Sequence, residues 1–286
     1  HHRSSAASDV YKRQGKGVTI AHSAEEAHKA LDDAMQKKIF GSAGTKVVIE
    51  DFLQGEEASF IVLCDGKKTI PFASSQDHKA RDNNDLGPNT GGMGAYSPAP
   101  IVTEEIHKQV MEKIIKPTIE GLKSEGITYK GFLYAGLMIK NSEISVLEFN
   151  CRFGDPETQP ILMRMESDLA EICLLAAQGN LNEREISWTK DSALGVVIAS
   201  KGYPFEYEKN KEINNLENEN PRQKVFHAGT KTQEGQVLSN GGRVLCVTAL
   251  GSTLLDSKNL AYQKVKNIDW KDGFYRDDIG DKAIKS

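Results

Sequence analysis

The stretch Glu148-Phe149-Asn150-Cys151-Arg152-Phe153-Gly154-Asp155-Pro156-Glu157 closes an apolar run and opens onto a loop. Alternate residues of a strand project to the same face. Glu148, Asn150 and Arg152 therefore share one face as the strand runs out, while Leu147 and Phe149 take the other. A carboxylate beside an amide oxygen makes a hard-oxygen site suited to Mg²⁺ that also carries nucleotide phosphates. An arginine one step further can clamp phosphoryl oxygens as charge moves. The E-x-N-x-R spacing alone reads about equally well as a polar surface strand. Its continuation into FGDPETQP narrows the reading toward a built site.

Working outward, Gly131–Lys140 and Glu143–Phe149 are predicted strands around a turn at Asn141-Ser142. Lys46–Phe52 (KVVIEDF) is a β-branched strand, and Ser59–Cys64 with Thr69–Ala73 flank Asp65-Gly66 as a hairpin. Ser23, followed by Glu25 and Glu26, caps a helix to about Lys38. Thr103-Glu104-Glu105 starts another, with Ile106, Val110, Ile114 and Ile115 at helical spacing. A third covers about Ser167–Gln178 and stops at Gly179. Residues 76–100 are polar, glycine-rich and aperiodic, a loop long enough to be functional or disordered. Composition shifts near Trp188-Thr189-Lys190-Asp191. Strands at Leu194–Ser200, Lys224–His227 and Arg243–Leu250 follow, then a helix over Leu254–Asn267, with residues 206–223 as a solvated excursion. Residues 1–14 (HHRSSAASDVYKRQ) show neither period and are expected to be an unrelated or disordered leader. The expected fold class is α/β (α+β): a first domain over 15–190 and a small mixed domain over 191–286.

The 286 residues are 38% hydrophobic and 27% charged, as a chain with a real core requires. A formal net charge of −4 supplies no basic field for nucleic acid or anionic membrane. Cys64, Cys151, Cys173 and Cys246 form no CxxC pair, and three of them sit in apolar runs, which points to a reducing cytoplasm without disulfides. No apolar stretch reaches the length of a membrane span.

The E-x-N-x-R strand end resembles that of ATP-grasp ligases, and LEFNCRFGDPETQP resembles the glycinamide ribonucleotide synthetase family in particular. Ser75-Gln76-Asp77-His78-Lys79, the loop GPNTGGMGAYSP from Gly87 to Pro98, Gly229-Thr230, and GGRVLCVTAL from Gly241 to Leu250 agree with it. The similarity runs from about Gly15 to Lys282. It implies an ATP-grasp domain followed by a small mixed α/β C-terminal domain. The activity it implies is ligation of glycine to 5-phosphoribosylamine through a glycyl phosphate, with ATP and Mg²⁺ or Mn²⁺ as cofactors. Such phosphoryl transfer depends on positioning and charge neutralisation, not on a protein nucleophile.

The resemblance also implies roles. Glu148 and Asn150 are metal ligands, and Arg152, Lys79 and His78 act on phosphoryl groups. Gly15, Lys16 and Gly17 end a mobile loop over the ATP phosphates. Glu50, Phe52 and Leu53 hold adenine, and Glu57 accepts from the ribose. Asp77, Asn89, Thr90, Gly91 and Gly92 bind substrate, the glycine-rich loop by its backbone N–H groups. Asp155 and Glu157 orient the glycine ammonium, with helix capping near Pro156 as the alternative. The implied partners are small molecules, with no nucleic acid and no membrane, and the chain is compatible with a monomer.

Two departures qualify this. The family's first domain and its lysine-bearing strand are not matched in the chain, so the chain as it stands is expected to bind nucleotide poorly and catalyse little. The place of a second acidic metal ligand falls near Gly136. The rivals are another ATP-grasp ligase or carboxylase, separable by a glycine-dependent assay, and a non-catalytic nucleotide-binding fragment, against which Glu148, Asn150 and Arg152 argue.

Overall fold

The run SFIVLC, apolar at every second residue on both faces, is the mark of a strand covered on both sides. In the computed structural model, which describes residues 2–6, 18–21, 23–182, 184–217 and 220–285, it lies inside the strand Glu56–Asp65 of a four-stranded sheet. The strand order is Glu143–Asn150, Lys130–Lys140, Glu56–Asp65, Thr69–Pro71, all antiparallel. One face places Phe60, Val62, Cys64, Leu133, Ala135 and Leu137 against Ile106, Val110 and Ile115. The other packs Ile61, Leu63 and Tyr134 on Ile161, Ile172, Ala176 and Leu181. Each such large side chain, fully buried, contributes about 1.5–3 kcal/mol relative to exposure.

The helix starting after the Thr103 cap runs through Glu104–Val110, a π turn at Met111–Ile115, and Lys116–Ser124. Pro117 accounts for the wide turn: it has no N–H to donate and its ring crowds the carbonyl four residues back. The helix Leu169–Gln178 has Asp168 as its side-chain cap and Gly179 in the left-handed region as its stop. The seven-residue helix Thr158–Arg164 is not anticipated by the sequence; it is short and carries Pro160 in its first turn, so periodicity does not reveal it.

A second sheet follows the order Gln223–His227, Arg243–Gly251, Ser192–Ser200, Gly94–Ser97, Gln76–Asp77, and Gly273–Phe274 also pairs with Ser192–Ser200. The helix Leu254–Asn267, closed at its start by a capping box between Thr253 and Asp256, covers this sheet. Its core comprises Leu194, Val196, Leu245, Val247, Ala261 and Val265. Two strands of this sheet come from residues 76–100, expected to be loop, so a cut near residue 190 separates the chain but not the sheets. The 206–223 excursion is likewise anchored: Ile213 is buried and its N–H donates to the Val237 carbonyl at 2.9 Å.

His2–Ala6 forms the middle strand between Val18–Ile20 and Val47–Asp51. The expectation that residues 1–14 stand outside the fold therefore does not hold for residues 2–6, while 7–14 lie outside the described residues. No helix among the described residues is long and apolar enough to cross a membrane. All four cysteines are free, with Cys151 exposed.

Residues 276–282 bolt the end of the chain to segment 78–85. Arg276, 1% exposed, donates to the Ala80 carbonyl and Asp85 Oδ1 at 3.0 Å and to both Asp278 oxygens at 2.8 Å. Burial works against the Asp278 carboxylate, yet the Arg276 fork outweighs it and pulls its pKa down to about 2. His78, 6% exposed, accepts at Nε2 from the Gly280 N–H at 3.3 Å and lies edge-on to Tyr96. Burial, reinforced by the Arg276 charge, pushes its pKa down to about 4.

Two outcomes are expected. Arg276→Met leaves the half-buried Asp278 carboxylate without its guanidinium, while Asp85 keeps Lys282, and should cost about 1–3 kcal/mol in urea unfolding. Because His78 holds a proton less readily when folded, its contribution is fully present above pH ~6.5 and lost as pH falls toward 4. That loss amounts to about 3 kcal/mol. The stability difference between wild type and His78→Gln should change with pH across that window, and a constant difference would contradict the assignment.

Candidate active site

The registers align Ser59 with Gly136 and Gly136 with Glu148 across three strands. The pairing slips after Gly136, so that Leu137 faces Val146. Residues two apart on each strand share the face, which groups Glu57, Ser59, Tyr134, Gly136, Glu148 and Asn150 at one end of the sheet. Asn150 is buried and its Nδ2 donates to Glu148 Oε1 at 3.2 Å. Gly136 matters by absence: a Cβ there would lie 3.3 Å from Glu148 Cγ, and this place carries no second carboxylate. Ser59 Oγ donates to Glu157 Oε1 at 2.8 Å and lies 3.0 Å from the Tyr134 hydroxyl. Glu157 is buried and precedes Thr158–Arg164 without a side-chain cap bond, so the capping alternative does not describe it.

Asp77 and Lys79 reach this face from the neighbouring segment. Lys79 Nζ lies 3.3 Å from Glu57 Oε2 and 3.9 Å from Glu148 Oε1. Burial alone would lower the Lys79 pKa; Glu57, Asp77 and Glu148 outweigh it and hold it up. Asp77 Oδ1 is buried with no hydrogen-bond partner among the described residues. Burial, and then the Glu157 charge, raise the Asp77 pKa well above the carboxylate range. His78 points the other way, into the contact with Gly280. The expectation that it meets phosphate beside Lys79 is corrected: neighbours along an extended chain face opposite sides, and its ring is committed to the core.

The glycine-rich loop also differs from expectation. The Thr90 N–H donates to the Lys79 carbonyl, Gly91 to the Tyr203 hydroxyl, Gly92 to Thr90 Oγ1, and Met93 to the His78 carbonyl. These amides are consumed by the protein, so the segment is a braced wall and not an amide cradle for an anion. Gly92 is needed because a Cβ would fall 2.4 Å from Pro156 and 2.6 Å from Asp77 Oδ1, at a φ of +116°. Asn89, at the end of the ladder Leu86–Asn89, is exposed.

Arg152 is exposed beyond the strand end and donates to the Phe153 carbonyl at 2.8 Å. The Asp155 carboxylate accepts from Arg243 Nη2 at 2.8 Å, so its charge is already matched within the protein and it is a poor ammonium ligand. Glu50 is exposed on the separate three-stranded sheet, and Phe52 and Leu53 are half-buried just after it. Gly15, Lys16 and Gly17 lie outside the described residues. Sequence reasoning missed Ser59, Tyr134, Tyr203 and Arg243. Only Arg243 left a signal, as the lone cation directly after Gly241-Gly242.

The family model for the ATP-grasp (A) domain of phosphoribosylglycinamide synthetase matches residues 8–158, beginning within the expected leader, and that for its C domain matches 193–282. The chain is 54% identical over 272 residues to a phosphoribosylamine–glycine ligase of Vibrio cholerae, covering 94% of this chain and 63% of that protein. The Escherichia coli O157:H7 protein of the same name is 55% identical over 274 residues, with 95% and 64% covered. The chain thus spans under two thirds of the length of these relatives. The crystal structure of the Thermotoga maritima phosphoribosylamine–glycine ligase superposes with a TM-score of 0.84 at 31% identity, over 97% of this chain and 68% of that one. The biotin carboxylase domain of Hydrogenobacter thermophilus 2-oxoglutarate carboxylase, in complex with MgADP and bicarbonate, gives 0.71 at 13% identity, covering 96% of this chain and 58% of that one. This last likeness shows the ATP-grasp fold alone. On the strength of both domain matches and the Thermotoga superposition, the chain belongs to the phosphoribosylglycinamide synthetase family.

Proposed function

We propose that the protein carrying this chain joins glycine to 5-phosphoribosylamine through a glycyl phosphate. The products are glycinamide ribonucleotide, ADP and phosphate, a step of purine biosynthesis in the cytoplasm. The observation that carries the reading is the charged face made by Glu57, Lys79, Glu148 and Asn150 at the end of the four-stranded sheet. Family membership supports it. On this reading the ATP-grasp part extends to about residue 190 and the C-terminal part covers 191–286.

Glu148 and Asn150 would hold Mg²⁺ or Mn²⁺. The donor set fits: one charged and one neutral oxygen ligand, on a face whose carboxylates already attract an ammonium. When bound, the metal offsets charge on the phosphoryl oxygens. Lys79 can then exchange its carboxylate partners for phosphate, and Arg152 clamps the phosphoryl group in transfer. Glu57 accepts from the ribose, Glu50, Phe52 and Leu53 hold adenine, and Gly15-Lys16-Gly17 cover the phosphates. Asn89, Thr90, Gly91 and Gly92 wall the substrate pocket. Asp77 and Glu157 take the glycine ammonium: a buried carboxyl with a raised proton affinity is set to exchange that proton for an arriving cation.

In the complete enzyme, Glu148→Gln keeps the shape but removes a charge. It should lower glycine-dependent ADP release by about 100-fold at saturating metal. Cys151→Ala, at the exposed position directly after Asn150, should leave turnover nearly intact. The reverse pattern would show that the wrong face of the strand has been assigned. Asp77→Asn should raise KM for glycine about tenfold with little change in KM for ATP; an unaltered glycine KM would move the ammonium site elsewhere.

A further inference from the structure

We propose that Arg243 and Tyr203 are positioning residues through which the C-terminal sheet sets the spacing of the two substrate loops. The inference rests on the ligase reading above. Arg243 opens the strand Arg243–Gly251. Its Nη1 donates to the Gly91 carbonyl at 2.8 Å and the Asp155 carbonyl at 2.9 Å, with Gly92 further off at 3.4 Å. Its Nη2 donates to Asp155 Oδ2 at 2.8 Å. The Tyr203 hydroxyl accepts from the Gly91 N–H at 3.0 Å. Both hydrogen-bonding groups of the Gly91 residue are thus held by side chains of the C-terminal part, 112 and 152 positions away.

The fit is close on every side. A Cβ on Gly91 would lie 2.9 Å from Arg243 Cζ, so the guanidinium rests against that part of the backbone, and a side chain there would push it out of its place. Tyr203 is seated in turn by Gly242, where a Cβ would fall 2.3 Å from its ring, and it packs with Met93 and Ala199. Gly92 is wedged between Asp77 and Pro156. Movement of Gly91 therefore shifts the wall that faces the Asp77 carboxylate, and movement of Asp155-Pro156 shifts its opposite side. Neither Gly91–Gly92 nor Asp155–Pro156 belongs to a strand or helix, so backbone ladders do not fix their separation. A planar fork can satisfy three carbonyls and a carboxylate at once; a lysine, with a compact ammonium, cannot reproduce that geometry.

The test uses the complete enzyme and steady-state rates for Arg243→Lys, Arg243→Ala and Tyr203→Phe, with the unfolding midpoint of each. Loss of charge-assisted positioning should raise KM for glycine and for phosphoribosylamine about tenfold or more, while KM for ATP stays near wild type. Millimolar guanidinium should restore both KM values in Arg243→Ala, which repair of a merely loosened fold would not do. If Arg243→Ala does not fold, Tyr203→Phe decides, since it removes a single hydroxyl. Folded variants with wild-type KM values for both substrates, or an equal rise in KM for ATP, overturn the inference. Absence of glycine-dependent ADP release in the wild type overturns the ligase reading itself, and this inference with it.

Discussion

The charge balance around Lys79 constrains the rest of the site. Its ammonium is drawn to Glu57 and Glu148, and Asp77 and Glu157 add to the negative field around it. So many carboxylates in a half-buried place repel one another, and the structure answers in two ways. It shares one cation among several acids, and it raises the proton affinity of Asp77 so that one negative charge is readily shed. A polyphosphate would find such a surface hostile unless cations came with it.

Holding these charges together requires a rigid base, and the four-stranded sheet supplies it. Its central strands are packed on both faces, and their register decides what the site sees: a slip by one residue would turn Glu57 and Ser59 to the face opposite Glu148. Once Ser59, Gly136 and Glu148 are in register, the polar ends of the strands have no freedom in which face they present. The absence of a side chain at Gly136 leaves the room that Glu148 occupies.

The glycine-rich segment illustrates how composition can mislead about mechanism. Many glycines and few side chains suggest amides offered to an anion. Here those amides bind Lys79, Tyr203, Thr90 and His78, and the glycines serve close approach instead. This segment bridges two parts of the fold, because Gly94–Ser97 joins the C-terminal sheet while Gly92 lies against Pro156 in the loop after Asn150. The C-terminal part is thereby structurally continuous with the segment that walls Asp77.

Several features followed from the sequence alone. The apolar run SFIVLC with the turn at Asp65-Gly66, and the strands around Asn141-Ser142, marked the first sheet, and caps at Ser23, Thr103 and Gly179 marked helix ends. The shared face of Glu148 and Asn150 followed from the two-residue period of a strand. These are local effects, written into neighbouring residues. Tertiary structure decided what neighbours cannot: that His78 turns into the core while Lys79 joins the carboxylates, that residues 76–100 lend strands to the second sheet, and that Asp155 is matched by Arg243 from 88 positions away. A partner that far along the chain leaves no periodic trace, because it is chosen by the packing of two sheets and not by the geometry of one strand.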